Sequence, residues 1–525
     1  MRWLLPLTLI ACGGSACGAN TSTATPPSDG GVEVGACGSE VALRAGTVRT
    51  ANGAVTGMTS SATWAFKGIP FATAARFKRP APLECWKGER AATDFGPKCA
   101  QLGADGKPTG SEDCLSLNLW TPSTQAAPRA VMVFIHGGGH AVGSASEQIG
   151  DGVRLYDGES LATKGEVVVV TIQYRLGPLG WLGHEALAAE DPDKSSGMLG
   201  QLDQIAALQW VKTNIAAFGG DPSRVTIFGE SAGGVSVCSL VASPVAKGLF
   251  SAAIMESGGC PGKARVDAEA HGKKVAEATG CTTADIPACL RALPLEKLLT
   301  AIPATVEVAG KTGVYNSVID GYVLPSAPQE LIATSKHNAV PFIFGSNTDE
   351  TSRAVPRMDT EAEYQAAVRA LLPAFADKVL AAYPVSEYGT PRRAFVAVTS
   401  DAKFICPLRA VGDAFARGQS QPTYRYVFGY VAENLQPVVK ALGAWHGVEL
   451  LYVFDHLKVS GYVPTPRDQA VIDKIIATWT TFAKTGAAWT KWERATDPYL
   501  SIDTMTGPAS GVRTKQCDFW ESVFK

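Results

Sequence analysis

Gly229-Glu230-Ser231-Ala232-Gly233 sets a serine between two glycines, each two residues away. A serine attacks an acyl carbon only when its hydroxyl stands clear of the backbone and beside a proton acceptor. Gly-x-Ser-x-Gly meets the first condition where a strand turns sharply into a helix. The serine backbone is then strained, and the glycines remove side chains that would strike the neighbouring strand and helix. The apolar run 225–228, Val-Thr-Ile-Phe, leads into this turn, and a helix-like segment leaves it. The chain holds 54 Gly, so five residues alone are weak evidence, and a Gly-rich surface turn is the competing reading. A second segment, His136-Gly137-Gly138-Gly139-His140, directly follows the apolar run 130–135. Glycines there let backbone N–H groups approach an oxyanion as it forms, and the N–H of Ala232 adds a further donor. A phosphate-cradling loop would be followed by Gly-Lys-Ser/Thr, which is absent here.

A base and an acid must accompany the serine. The histidines are 136, 140, 184, 271, 337, 446 and 456. The order serine, acid, histidine that goes with a nucleophile elbow removes the first three. His271 and His337 sit in polar stretches and read as surface residues, and His456 follows an apolar run. His446, between Trp445 and Gly447 after the run 424–428, is the favoured base. Glu350 and Asp349 both follow the apolar run 341–344, and the residues alone do not separate them from each other or from a solvated acidic turn. His184-Glu185 lacks a second histidine four residues on, so a zinc-protease motif is excluded.

These groups need a rigid frame. The runs 130–135, 166–172, 225–228, 252–255, 341–344 and 424–428 are continuously apolar, as in strands covered on both faces. Leu202, Ile205, Leu208, Val211, Ile215 and Phe218 recur at three- and four-residue steps, giving a helix with one apolar face, ended by Asp221-Pro222. Residues 41–71, punctuated by Gly53 and Gly57, read as a small antiparallel edge hairpin. The alternation gives an α/β fold, a large and mostly parallel central sheet flanked by helices.

Composition narrows the classes. A net charge of −2 and 18% charged residues leave no footprint for nucleic acid. Past the N-terminus no apolar run is long enough to span a membrane. Arg2, the apolar stretch 3–10 and Leu9-Ile10-Ala11-Cys12 resemble a bacterial lipoprotein signal over 1–11, with Cys12 the lipidated residue; an ordinary secretory signal is the alternative. Residues 12–36 are a Gly/Ser/Thr/Pro tether, and the folded unit spans 37–525. Twelve Cys in an exported chain point to disulfides. With Cys12 set aside the remainder is odd, so at least one thiol stays free. Cys99 and Cys114, and Cys281 and Cys289, bracket short loops. Cys238, on the apolar pattern after the elbow, reads as a buried core thiol. Cys17, Cys37, Cys85 and Cys260 have no assignment from sequence.

Taken together the chain resembles the type-B carboxylesterases, the α/β-hydrolase branch that includes cholinesterases. The resemblance runs from about residue 41 to 525. It rests on Phe66–Ala72, Arg76–Pro82, Ser111–Asn118, the HGGG loop, Tyr174–Gly180, Phe218–Pro222, Gly229–Gly234 and His446–Glu449. It implies an α/β-hydrolase fold and a serine esterase that needs no cofactor or metal. Its substrates would be small to medium esters, with a membrane touched only through the lipid anchor. It implies Ser231 as nucleophile, Glu350 as acid, His446 as base and an oxyanion hole from Gly138, Gly139 and Ala232. It places Glu230 and Ser257 behind the site, pairs Cys99–Cys114, Cys281–Cys289 and Cys406–Cys517, and makes Arg76–Glu112 and Arg175–Asp203 salt bridges. Three positions depart from the family. His140 replaces an aromatic after the glycines, Thr351 replaces a glycine after the acid, and the Cys99–Cys114 loop lacks Trp and Tyr. The last argues against a choline site. A lipase for longer acyl chains, amide or carbamate hydrolysis, and a non-catalytic binding protein on the same fold are the other readings. The binding protein is disfavoured because serine, acid and histidine are all present.

Overall fold

All six apolar runs become strands of one sheet. A computed structural model describes Cys37, Val41 and residues 44–524, apart from 61–62, 123–127, 283 and 304–313. The expected signal, Cys12, the tether and Cys17 lie outside the described residues. The strands of the large sheet are β1 (Met58–Ser60), β2 (Thr63–Pro70), β3 (Ser116–Thr121), β4 (Arg129–Ile135), β5 (Val168–Ile172), β6 (Gly220–Glu230), β7 (Ala252–Glu256), β8 (Phe342–Asn347), β9 (Thr423–Phe428), β10 (Pro498–Ile502) and β11 (Gly507–Ser510). Their spatial order is β11-β10-β9-β8-β7-β6-β4-β5-β3-β2-β1. Pairing is parallel from β10 to β5 and antiparallel at both edges. The central strands β5, β7, β8 and β9 are buried along their whole length, which explains their unbroken apolar runs.

Two boundaries differ from expectation. The strand entering the elbow begins at Gly220, so Asp221-Pro222 lies inside it; the register shifts between Gly220 and Val225 and absorbs the proline. The N-terminal hairpin is two devices. Gly53–Thr56 pairs with Thr47–Thr50 on one side and Glu89–Ala91 on the other in a separate three-stranded sheet, while β1 and β2 close the edge of the large one.

The expected helix runs Leu199–Asn214 (α1) and continues as a 3-10 turn to Phe218. Ala232–Ala242 (α2) follows the elbow. Pro466–Thr485 (α3) buries Ile472, Ile475, Ile476, Trp479 and Phe482, each such side chain contributing about 1.5–3 kcal/mol. Arg175 Nη2 lies 2.7 Å from Asp203 Oδ1, both side chains buried, tying the segment after β5 to α1. Arg76 Nε donates to Glu112 Oε2 at 2.8 Å and Nη1 to the carbonyl of Leu293 at 2.6 Å.

The pairs Cys99–Cys114, Cys281–Cys289 and Cys406–Cys517 form. The last joins residues 111 apart, worth about 5 kcal/mol in the loop-entropy account. Cys238 is not a free core thiol: it is bonded to Cys260, fixing α2 to the loop after β7, and Cys37 is bonded to Cys85. His337 and His271 are not surface residues either. Both are half-buried, His337 Nε2 at 2.9 Å from Gln419 Oε1 and His271 edge-on to the Tyr315 ring.

Candidate active site

The residues expected to form the triad, the oxyanion hole and their polar support follow the carboxyl ends of β4, β6, β7, β8 and β9, where a parallel sheet opens its crevice. Ser231 follows β6 and caps α2 with φ 57° and ψ −121°, outside the regions L-residues favour. The turn requires its glycines. A Cβ on Gly233 would lie 1.9 Å from the carbonyl oxygen of Ile135, and one on Gly229 2.7 Å from that of Gly233. The Ser231 N–H donates to the carbonyl of Glu256 at 2.9 Å, so β7 holds the strained residue in place.

After β4 the chain runs through Gly138 (φ 102°) and Gly139 (φ 63°) to His140 (φ 56°). A Cβ on Gly138 would lie 2.1 Å from the Val142 carbonyl oxygen. Gln101 clamps the loop, accepting from the Gly143 N–H and donating to its carbonyl, both at 2.8 Å. Ala232 is the first residue of α2, where an N–H has no partner inside the helix. His140 is buried. Its ring stacks on Trp181 at 3.9 Å and its Nε2 lies 3.0 Å from Ser236 Oγ, so it packs between the loop and the helices behind it.

Glu350 and Asp349, indistinguishable by sequence, separate in space. Glu350 is buried; one oxygen accepts the Asn347 N–H at 2.8 Å and the other lies 2.6 Å from His446 Nδ1. Asp349 turns away, accepting the Ala444 N–H at 3.2 Å and the Thr348 hydroxyl at 2.7 Å. Thr351, where the resemblance implies a glycine, is buried with its hydroxyl 2.6 Å from that of Thr399, bracing the Glu350 turn against a helix. His446 packs on Phe404 with ring centroids 4.9 Å apart.

The other imidazole nitrogen, Nε2, lies 3.2 Å from Glu230 Oε1. Burial alone would push His446 down, but Glu230 and Glu350 outweigh it and raise it to about 9. Burial pushes Glu230 up to about 7 against the opposing pull of His446. Ser257 donates to Glu449 Oε1 at 3.4 Å, and the Asn347 amide donates to its other oxygen. Burial holds Glu449 well above the usual carboxylate range and Glu256 at about 8, where it accepts from Trp479 Nε1 at 2.8 Å. Glu256, Asn347 and Phe404 carry no local sequence signal that places them here; Glu449 closes the His446–Glu449 motif, which gives it no role by itself.

Ser231 and His446 line two cavities. The larger, about 1090 Å³, also touches Gly138 and Glu230 and is walled mainly by apolar side chains such as Leu155, Leu435, Val439, Leu442 and Leu451. The smaller, about 300 Å³, touches Gly139, Ala232 and Ser257.

A family model described as "Carboxylesterase family" matches residues 44–520. The para-nitrobenzyl esterase of Bacillus subtilis (strain 168) is 34% identical over 481 residues, covering 87% of this chain and 94% of that protein. A cocaine esterase of Homo sapiens is 34% identical over 515 residues, covering 87% of each. A solved structure of PNB esterase superposes with a TM-score of 0.76 at 33% identity, over 90% of this chain and 99% of that one.

Proposed function

The chain belongs to the carboxylesterase family and is a carboxylic ester hydrolase with the α/β-hydrolase fold, and from that premise we propose that Ser231, His446 and Glu350 carry the reaction. His446 takes the hydroxyl proton as Ser231 attacks the ester carbonyl. The N–H groups of Gly138, Gly139 and Ala232 receive the oxyanion. His446 gives the proton to the departing alcohol, and the acyl-enzyme is hydrolysed by water activated in the same way. Glu350 stabilises the positive charge that His446 acquires, while Glu230, close to its Nε2, and Ser257, through Glu449, add polar support around it.

The observation that carries this reading is the Glu350–His446 contact beside a serine in the elbow conformation. Ser231→Ala removes the nucleophile without adding bulk. Turnover of p-nitrophenyl esters should fall to background while the thermal melt is retained; a folded variant with full turnover sinks the assignment.

The apolar lining of the larger cavity favours a second reading of the substrate, a lipase-like preference for longer chains. A series of p-nitrophenyl esters of rising chain length separates the two by where kcat/KM peaks. The disulfides, and the lack of a helix long and apolar enough to cross a membrane among the described residues, are compatible with an exported protein. Anchoring through a lipid on Cys12 belongs to this proposal, supported by the sequence ahead of it.

A further inference from the structure

The N–H groups of the proposed oxyanion hole come from two elements. Gly138 and Gly139 belong to the loop after β4, and Ala232 opens α2. An oxyanion gains from all of them only where they converge within about 3 Å of one point. A run of glycines leaves the loop free to wander, because glycine enters positive φ as readily as negative. The far end of the loop must therefore be fixed against the helix. His140, buried with φ 56°, stands there, where the resemblance implies an aromatic. Histidine is among the few non-glycine residues enriched in this region of backbone conformation. Its carbonyl accepts the Gly177 N–H at 2.7 Å, and its ring lies on Trp181 with centroids 3.9 Å apart. A phenylalanine could stack there equally well, but it could not bond to α2. His140 Nε2 lies 3.0 Å from Ser236 Oγ. Ser236 is four residues past Ala232, one turn along the same face of the helix.

Ser236 is itself held. Gln204 Nε2 donates to its Oγ at 3.0 Å, and Gln201 Nε2 donates to Gln204 Oε1 at 2.7 Å, all three side chains buried. With that amide hydrogen on one lone pair, the Ser236 hydroxyl keeps its own hydrogen for His140 Nε2. Burial lowers His140 to about 4 against backbone hydrogen bonds with Tyr315 and Ala232. The ring is therefore uncharged through the neutral and alkaline range. We infer that His140 is a positioning residue for the oxyanion hole, its bond to Ser236 setting the glycine loop against Ala232. This rests on the acyl-enzyme reading of the same site. Removing one oxyanion donor outright costs about 10²–10³-fold in kcat. A donor that is present but misplaced should cost less, about tenfold.

A trifluoromethyl ketone separates positioning from packing. Ser231 Oγ adds to its carbonyl carbon, the hydroxyl proton passes to His446, and the carbonyl electron pair moves to an oxygen that sits in the hole. The corresponding carbinol fills the same space without forming an oxyanion. His140 also lines the smaller cavity, so the carbinol is the control for lost packing. In His140→Phe and in Ser236→Ala, inhibition by 1,1,1-trifluorooctan-2-one should weaken about tenfold, and kcat on 4-nitrophenyl butanoate should fall in step. KM and inhibition by 1,1,1-trifluorooctan-2-ol should stay within about threefold. One contact is at stake, so the double variant should be no more than about threefold worse than either single one. A thermal melt checks folding, and Ser236→Ala carries the test alone where His140→Phe does not fold. Ketone and carbinol weakening alike reduce His140 to packing and overturn the inference. Unchanged kcat and ketone affinity in Ser236→Ala, or an additive double variant, overturn it too. A wild type that is inert toward the ester and binds the ketone no better than the carbinol overturns the acyl-enzyme reading itself, and this inference with it.

Discussion

Glu350→Gln is nearly isosteric, yet it should cost activity out of proportion to its size. The wild-type carboxylate accepts at both oxygens, from the Asn347 N–H at 2.8 Å and from His446 Nδ1 at 2.6 Å. A glutamine has one acceptor and one donor. If its oxygen serves His446, its amide meets the buried Asn347 N–H donor to donor, a loss of about 1–3 kcal/mol. If its oxygen serves Asn347, its amide donates to Nδ1. That forces the proton onto Nε2, and the imidazole can no longer accept from Ser231. Either outcome also removes the charge that stabilises the imidazolium formed during attack. Loss of an orienting acid by such a tautomer change costs roughly 10³–10⁴-fold in kcat, or about 4–5.5 kcal/mol of transition-state stabilisation. Initial rates on a p-nitrophenyl ester, with a thermal melt as the folding control, measure it. Asp349→Asn is the comparison, because an asparagine oxygen can still accept the Ala444 N–H that Asp349 holds; its rate should stay within about threefold. A Glu350→Gln enzyme within tenfold of wild type, or a larger loss at Asp349, would refute the reasoning.

The pH profile offers a second check. Only the neutral imidazole can take a proton from Ser231, so activity is present above the pKa of His446 and lost as pH falls through it. Glu230 and Glu350 raise that pKa to about 9 against burial. Glu230→Gln removes one of the two charges, disfavours the imidazolium and should move the acidic limb of kcat/KM to lower pH by about one unit; a limb that stays put or moves up contradicts the role given to Glu230. At the other end of the chain, Cys12→Ser should shift the protein from the membrane fraction to the soluble fraction of cells that export it, with no change in specific activity. A variant that remains with the membrane rules out the lipid anchor.

Much of this arrangement was readable because the residues concerned obey local rules. The elbow needs glycines at 229 and 233 whatever surrounds it, and the central strands are apolar because both faces are covered. What escaped was set by contacts distant in sequence. Asp349 and Glu350 share every local property and are told apart only by which backbone each meets, Ala444 or Asn347. Cys238 lies on an apolar helix face that hides any thiol equally well, bonded or free; its partner arrives on the loop after β7. The fully buried strand β3 reads Ser-Leu-Asn-Leu-Trp-Thr, an alternation typical of a half-exposed strand. Its Asn118 is tolerated because the side chain donates to the Thr171 hydroxyl and accepts the Gly68 N–H, both at 3.0 Å.

Because Ser231 and His446 are a wall common to two chambers, the two halves of the reaction proposed for them would use different space. Once the alcohol departs, one chamber stands empty while the acyl group stays bonded to Ser231 in the other. The vacated chamber is then the antechamber for whichever nucleophile comes next, and His446 already faces it. Water enters by that way, but so does any alcohol that fits. On that mechanism the commitment to hydrolysis depends on what shares the solution with water: if the large apolar chamber is the one that empties, an added alcohol would compete there with water, and the acyl group would divide between acid and new ester accordingly.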